Sequence, residues 1–298
     1  MQASDLRTAF YDAMFDSTDN NLNPVEEQAI FNVRSILNDP NNLSSYISPL
    51  PILQIKLLQL LENPEVEFHE LSSLIDQDPA LATRVLRTVN SPMFLTRGKA
   101  KDLHSAIKRL GISGISNIAS SILMEKVRPH KPIYYKMFGR QIWEHSVHCA
   151  FLCRGFSKEQ GEDEFSGHFL GLIHDVGKII IFNCLNDAFS KGILEGEPGS
   201  KVFKEMMSEM SGDISYFITR EWNLPEKFWM AMFEQTTEPQ SKLAVSLHRA
   251  NYCAELYLLH EQSKITEAEL NESIDSLHCN GVVWQEFLGK AKHLVQSI

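Results

Sequence analysis

The sequence predicts an all-α fold. Apolar residues recur at spacings of three and four, which places them on one side of a helix, whereas alternating stretches bounded by hairpin turns are scarce. Helix start and stop signals also divide the chain at short intervals. With 298 residues, 43% of them hydrophobic, the chain can bury a substantial core. We therefore expect a bundle of many helices in three segments, 1–45, 46–132 and 133–298.

The first segment, residues 1–45, is predicted to be a helical extension of two helices. It ends in the polar stretch 38–45, whose Asn, Asp, Pro and Ser residues are typical of a loop. The chain does not start with a basic stretch followed by an apolar one, so we expect no signal peptide. No apolar run is long enough to span a bilayer. These features favour a cytoplasmic protein without a membrane contact.

The second segment, residues 46–132, has the clearest helix boundaries. A helix is predicted over 52–62 and a shorter one over 68–77. Asp78 is a good N-cap and Pro79 suits the first helical position, so the two residues together predict the start of the next helix.

Glycine and proline mark the later boundaries of this segment. Pro92 is expected to end the helix that starts at Pro79, because its ring cannot continue a helix. Gly111 is predicted to close a helix over 103–110, and a further helix should follow it. The stretch 128–132 contains two prolines and is expected to separate this segment from the third.

The third segment, residues 133–298, opens with a long amphipathic helix. Its predicted inward face steps by four and three residues. The residues of this face are Phe138, Ile142, His145, Cys149, Leu152 and Phe156. A single histidine on such a face is more often a hydrogen-bonded core residue than a ligand, so His145 alone indicates little.

Further helices are predicted along the rest of the segment. One covers 164–174, after which Gly177 is expected to let the chain bend before 179–182. A capping box, Thr266–Glu269, introduces a helix over 270–277. The last predicted helix covers 282–295.

Charge and cysteine content restrict the function classes. The net charge of -10 and the excess of 38 acidic over 28 basic residues argue against broad nucleic-acid binding. The basic run 97–101 is more typical of a solvated loop. Five cysteines without a CxxC pattern indicate neither a disulfide framework nor a zinc ribbon, which favours a reducing compartment. No GxSxG, GxGxxG or Walker-type loop is present, so serine hydrolysis and nucleotide binding through such loops have no basis.

The strongest chemical signal is His174–Asp175 within the stretch 171–178. At a helix end, an adjacent imidazole and carboxylate can both reach one cation. These ligand types suit iron, manganese, nickel or zinc. Such a cation would polarise a phosphoryl oxygen, and Lys178 could contact the phosphate. The alternative is that the pair makes only hydrogen bonds at a helix terminus, as a buried polar network that fixes two helices together.

The other histidines are weaker candidates. His104, His148, His168 and His248 are scattered over predicted helices and loops, and each is expected to be a surface or boundary residue rather than a ligand. Asp78, which matches a helix start, is expected to be architectural.

Six blocks of the sequence resemble the HDOD family, which belongs to the HD superfamily of metal-dependent phosphohydrolases. The resemblance covers roughly residues 46–260, and the most specific part is Asp78 to Ser91 within the second block. The blocks are 50–53, 74–91, 106–111, 143–146, 171–178 and 222–225, in the family's order. The resemblance implies an HD-like C-terminal half that packs on an N-terminal helical half.

The resemblance also implies a ligand set of His145, His174 and Asp175, completed in HD enzymes by a distant Asp. This chain has Asn251 at the matching place, a weaker ligand because it carries no charge. Related cyclic-dinucleotide phosphodiesterases have further histidines, but the segments 212–215 and 233–236 contain none. We therefore expect one divalent cation (iron, manganese, nickel or zinc) or none, and no binuclear centre.

Three functions remain open from the sequence. HDOD proteins are generally regarded as signalling output or scaffold modules, so the first expectation is a bacterial signalling protein that acts through unidentified protein partners and is not an efficient enzyme. The second is a metal-dependent phosphohydrolase for a phosphoester or nucleotide, with Lys178 on the phosphate. The third is a sensor that binds a nucleotide-like ligand without turning it over. Fold similarity alone does not decide between them.

Overall fold

The computed structural model describes residues 3–15, 24–47, 52–61, 63, 65–91, 100, 102–127, 140–190 and 200–296. Within these ranges the regular elements are all α-helices and no strand is present, which confirms the predicted fold class. The helices are α1 (Ala3–Phe15), α2 (Pro24–Leu37), α3 (Pro40–Tyr46), α4 (Ile52–Leu61), α5 (Phe68–Ile75), α6 (Pro79–Val89), α7 (Leu103–Val127), α8 (Arg140–Glu159), α9 (Glu164–Ile173), α10 (Val176–Ser190), α11 (Ser200–Glu221), α12 (Glu226–Phe233), α13 (Lys242–Glu261), α14 (Glu267–Ser276) and α15 (Val282–Gln296).

Helix α8 is the centre of the third segment. It packs against α9, α13 and α15, and its buried face is the predicted one. Phe138, predicted to belong to this face, lies outside the described residues. Because α8 is covered on several sides, a polar side chain in the middle of its apolar face is removed from water.

In the second segment α4, α5 and α6 pack around α7, and α7 also packs against α9 of the third segment. The Asp78 side chain accepts a hydrogen bond from the Leu81 amide at 3.2 Å, as an N-cap should. Gly111 has φ 68° and ψ 176° and breaks α7 where a helix end was predicted. The predicted boundary at 128–132 and most of the basic run 97–101 lie outside the described residues.

The stretch 38–45 is not the predicted loop, because α3 occupies most of it. Asp39 caps this helix by accepting a hydrogen bond from the Asn41 amide at 3.0 Å, and Pro40 stands at the first helical position. The Asp-Pro signal is the same one that correctly predicted α6. Polar composition alone therefore does not identify a loop where an Asp-Pro helix start is present.

The first segment does not stand apart from the rest. Helix α1 packs against α11 and α13, and α2 packs against α10 and α11. The division into segments 1–45, 46–132 and 133–298 stays a prediction. What matters for function is that α1 lies on the helices of the third segment.

Gly177 does not serve as the predicted bend. It lies in the first turn of α10 and is not among the glycines with positive φ. A Cβ atom on this residue would lie 2.1 Å from the Ser211 carbonyl oxygen of α11. Glycine is therefore required because the backbones of α10 and α11 approach closely.

We expect Gly177→Ala to lower the free energy of unfolding by about 1–3 kcal/mol, because the added methyl group must push two helices apart. The matched control is Gly289→Ala in α15, where a Cβ would meet nothing within 4 Å. There the better helix propensity of alanine should stabilise the protein by up to about 1 kcal/mol. Urea denaturation of both variants measures the difference, and equal stabilities would refute the close-approach argument.

The C-terminal helices follow the prediction closely. Thr266 and Glu269 form the predicted capping box of α14, and α15 ends within one residue of its predicted end.

The stretch Glu164–Leu185 is long and apolar enough to cross a membrane, but 89% of its most apolar 18-residue window is buried inside the fold. Such burial is typical of the core helix of a soluble protein.

Candidate functional site

Three helices and one turn bring the predicted site residues together. His145 lies in the second turn of α8, His174 is the C-cap of α9, and Asp175 follows in the turn before α10. Asn251 comes from α13. Gly171 on α9 makes the convergence possible, since a Cβ there would lie 2.7 Å from the Cα atom of Ala150 on α8.

The polar atoms of the four residues face one point. The Nε2 atoms of His145 and His174 are 3.3 Å apart, and Asn251 Oδ1 lies 3.0 Å from the first and 2.9 Å from the second. The two carboxylate oxygens of Asp175 lie 3.4 Å from His145 Nε2 and 3.3 Å from His174 Nε2. Both histidines and Asp175 are buried, with exposures of 0%, 2% and 6%. The arrangement is a compact, water-shielded donor set.

The hydrogen bond of His174 determines which ring nitrogen can act as a ligand. Its Nδ1 donates to the Gly171 carbonyl oxygen at 2.7 Å, and a carbonyl can only accept. A neutral ring therefore has an unprotonated Nε2, which faces the acceptor Oδ1 of Asn251. A protonated ring is the other possibility, but burial lowers the pKa of His174. Two acceptors this close favour a cation between them.

The spacing also fits a transition metal. Ligand atoms about 2.1 Å from a metal, at tetrahedral or octahedral angles, lie about 3.0–3.4 Å from one another. The observed separations of 2.9–3.4 Å agree with this range. His145, His174, Asp175 and Asn251 are thus the residues that would hold a metal. The His174 ring is oriented by the hydrogen bond of its Nδ1 to Gly171, whereas the buried Nδ1 of His145 has no hydrogen-bond partner, so the orientation of the His145 ring is less firmly fixed.

Lys178 does not extend toward an open cleft. Its Nζ donates to Asp175 Oδ2 at 2.8 Å, and the residue is 5% exposed. Burial opposes the charge on each partner, but the opposite charges outweigh it. The pKa of Lys178 is raised and that of Asp175 is held well below its usual range. The ammonium group is therefore committed to a site ligand.

Helix α1 covers this cluster with two aromatic rings. The centroid of the Phe10 ring lies 4.9 Å from that of His145, and Lys178 Nζ lies 5.0 Å from the Phe10 centroid and 5.4 Å from the Tyr11 centroid. Phe10 is fully buried and Tyr11 nearly so, and burial raises the pKa of the Tyr11 hydroxyl. Asp12 of α1 is paired with Lys204 of α11. The N-terminal helix closes the site.

Two further residues support the site and were not predicted. Ser215 donates its hydroxyl proton to the His174 carbonyl at 2.8 Å and accepts a hydrogen bond from the Gly177 amide at 2.9 Å, which fixes the turn that carries Asp175. Glu255 accepts a hydrogen bond from Asn251 Nδ2 at 3.1 Å, so that the amide oxygen of Asn251 points at the histidines. Burial raises the pKa of Glu255 to about 7. The spacing of four on α13 is the only sequence signal for Glu255.

The other histidines are partly as expected. His104 and His248 are exposed, and His168 is half-buried. His148 contradicts the expectation of a surface or boundary residue, because it is 7% exposed. Its Nε2 donates to the Ala291 carbonyl of α15 at 3.2 Å, and the ring packs against aromatic residues. It is a core residue between α8 and α15.

Known structures share this fold. A Shewanella amazonensis protein, provisionally named a metal-dependent phosphohydrolase, aligns with a TM-score of 0.62 and 17% identity over 92% of this chain and 99% of its own. An HDOD domain protein of unknown function from Geobacter sulfurreducens aligns with a TM-score of 0.59 and 16% identity over 89% of this chain and 97% of its own. At these identities the likeness establishes the fold alone.

Sequence comparison adds a relative and a family. An uncharacterized protein of Treponema pallidum (strain Nichols) is 25% identical over 195 residues, which are 62% of this chain and 37% of that protein. The chain therefore spans little more than a third of the length of this curated relative. The profile of the HDOD domain matches residues 47–238, well over half of the chain. The chain belongs to the HDOD family.

Proposed function

We propose that this chain is a signal-transduction output or scaffold module whose HD site is degenerate and does not hydrolyse phosphoesters efficiently. The observation that carries the proposal is the closure of the site by α1, whose Phe10 ring lies against His145. A hydrolase must admit both a substrate phosphate and water to its metal. Here the face of the donor set that α1 covers is buried under the Phe10 and Tyr11 rings.

Two properties of the site support the same proposal. Lys178 is bound to Asp175 and shielded by aromatic rings, so it is not available to a phosphate. Asn251 supplies a neutral oxygen where an acidic ligand would bind a divalent cation more strongly. A single cation held in this place would tie α8, α9 and α13 together, and its chemistry would be structural.

The alternative function is a metal-dependent phosphohydrolase. The converging atoms of His145, His174 and Asp175 favour it, because such a set suits a catalytic iron, manganese, nickel or zinc ion. For this function α1 would have to move during turnover, so that the Phe10 ring no longer covers His145. The cytoplasmic location and unidentified protein partners of the signalling module remain part of the proposal.

The test combines cation content with turnover. Protein purified without a metal-binding tag is analysed for bound metal and incubated with a generic phosphodiester and each candidate metal. We expect no turnover above that of His174→Ala, and any bound metal should be lost in that variant. His248→Ala is the control, because His248 is exposed on the same helix as Asn251.

A variant with a carboxylate at position 251 shows how tight metal binding would be if the site had an acidic fourth ligand. We expect Asn251→Asp to bind the preferred metal at least about tenfold more tightly, because ligand charge sets affinity in such sites. Asn271→Asp, on the exposed surface of α14, should leave affinity unchanged. Metal-dependent turnover by the unmodified protein, absent in His174→Ala, would replace the scaffold proposal with the hydrolase.

A further inference from the structure

Glu255 of α13 is a buried carboxylate with few partners. The residue is 7% exposed, and its Oε1 accepts a hydrogen bond from Asn251 Nδ2 at 3.1 Å. Within the part of the chain that the structure describes, Glu255 makes no other hydrogen bond and no ion pair. Burying a carboxylate without a cation is strongly unfavourable, so this group needs a positive charge beside it.

Two cations near Glu255 do not meet this need. Lys178 is buried in the same cluster, but its ammonium group is bound to Asp175 Oδ2 at 2.8 Å. Arg7 of α1 acts on Glu255 through its charge, but Arg7 is exposed, so water and salt screen it. A buried negative charge without a matching cation therefore lies one hydrogen bond away from a proposed metal ligand.

The charges of the ligand set lead to the same point. The two histidines would coordinate a metal as neutral imidazoles, and the Asn251 amide is neutral. The negative charge of Asp175 is offset by the positive charge of Lys178. These residues together have no net charge with which to hold a divalent cation away from water. Glu255 adds a negative charge to this otherwise neutral set.

The amide of Asn251 connects Glu255 to the histidines. Its Nδ2 donates to Glu255, while its Oδ1 lies 2.9 and 3.0 Å from the two histidine Nε2 atoms. An amide that donates to a carboxylate has a more negative oxygen, because linked hydrogen bonds polarise one another. Carboxylates that accept the second N–H of a metal-bound histidine strengthen that ligand in the same way.

We propose that Asn251 and Glu255 together replace the acidic ligand of the cation site, with Asn251 as the ligand and Glu255 as the source of its negative charge. Glu255 acts through Asn251 and is a positioning residue. The inference rests on the single-cation site of the proposed function. It adds that the charge missing at position 251 is supplied from one helical turn away.

The test is zinc affinity, measured on metal-free protein by competition with a chelator. Glu255→Gln keeps an oxygen that can accept the hydrogen bond from Asn251 but removes the charge, so we expect zinc affinity to fall about tenfold or more. Glu261→Gln is the matched control, because Glu261 is exposed on the same helix, and it should bind zinc as the unmodified chain does. Equal zinc affinities of Glu255→Gln and the unmodified chain would overturn the proposal.

The Asn251→Asp background separates charge from structure. A carboxylate at position 251 has no N–H to donate, and it repels Glu255. In this background Glu255→Gln should leave zinc affinity unchanged or raise it, whereas loss of a residue needed only for packing would lower it in both backgrounds. A loss in both backgrounds would overturn the proposal. If Glu255→Gln alone fails to fold, the double variant decides, because its glutamine amide can donate to the new carboxylate.

Turnover is a separate readout. The scaffold proposal fails if the unmodified chain hydrolyses the generic phosphodiester, whatever the zinc affinities are. An unmodified chain that does not bind zinc would overturn the inference about Glu255 and leave the scaffold proposal standing.

Discussion

Phe10→Ala is expected to lower the free energy of unfolding by about 3–5 kcal/mol, because a fully buried phenyl ring is removed and a cavity remains. The ring contacts the His145 ring, the Tyr11 ring and the Lys178 ammonium group. The cavity would therefore open beside the metal-ligand set. Chemical denaturation measures the loss, and the rate at which a chelator removes bound zinc should rise in the same variant.

Phe31→Ala is the matched control for this prediction. Phe31 lies on α2, also in the first segment, but it is 70% exposed. Its removal should change stability by no more than about 0.5 kcal/mol. If the two variants were equally stable, α1 would not be docked over the site and the main support for the scaffold proposal would be lost.

Helix α1, which covers the site, lies outside the family match. The family match begins at residue 47, whereas Phe10 and Tyr11 precede it. The site residues His145, His174 and Asp175 belong to the matched region, and their closure is provided from outside it. In the scaffold proposal, the helix that keeps substrate from the site therefore lies outside the matched residues 47–238.

The convergence of the four site residues could be expected from the sequence, because its signals are local or carried by the family resemblance. His174 and Asp175 are adjacent at a helix end, and His145 lies on a clear apolar stripe. Asn251 came from matching a distant position to the family. The structure places the Nε2 atoms of the two histidines within 3.4 Å of each other, of Asp175 and of Asn251, although the role of these residues as metal ligands stays a prediction.

The parts that could not be predicted depend on long-range packing. Nothing in the sequence near Phe10 indicates that α1 lies against α13, over 200 residues away. Ser215 supports the His174 turn across two helices, and its sequence context is unremarkable. Gly177 was assigned to local bending, yet its role is the close approach of α11. Helix periodicity determines which side of a helix is buried, but not which partner buries it.

The ion pair between Lys178 and Asp175 provides the second large effect. We expect Lys178→Met to lower the free energy of unfolding by about 3–5 kcal/mol in metal-free protein, because it leaves a buried carboxylate without its cation. Lys178 and Asp175 are 5% and 6% exposed, and their polar atoms are 2.8 Å apart. Lys158→Met is the control, since Lys158 is 71% exposed while paired with Glu164. Its loss should be no more than about 1 kcal/mol.

Adding metal distinguishes the two proposed functions of this residue. A divalent cation beside Asp175 neutralises the same carboxylate, so it should restore much of the stability that Lys178→Met removes. A lysine that served a phosphate would behave differently: its loss would reduce turnover and leave the metal-free protein stable. Denaturation of both lysine variants with and without zinc therefore tests the site directly. A stable metal-free Lys178→Met protein would mean that the ion pair does not hold the site together, and would favour the hydrolase.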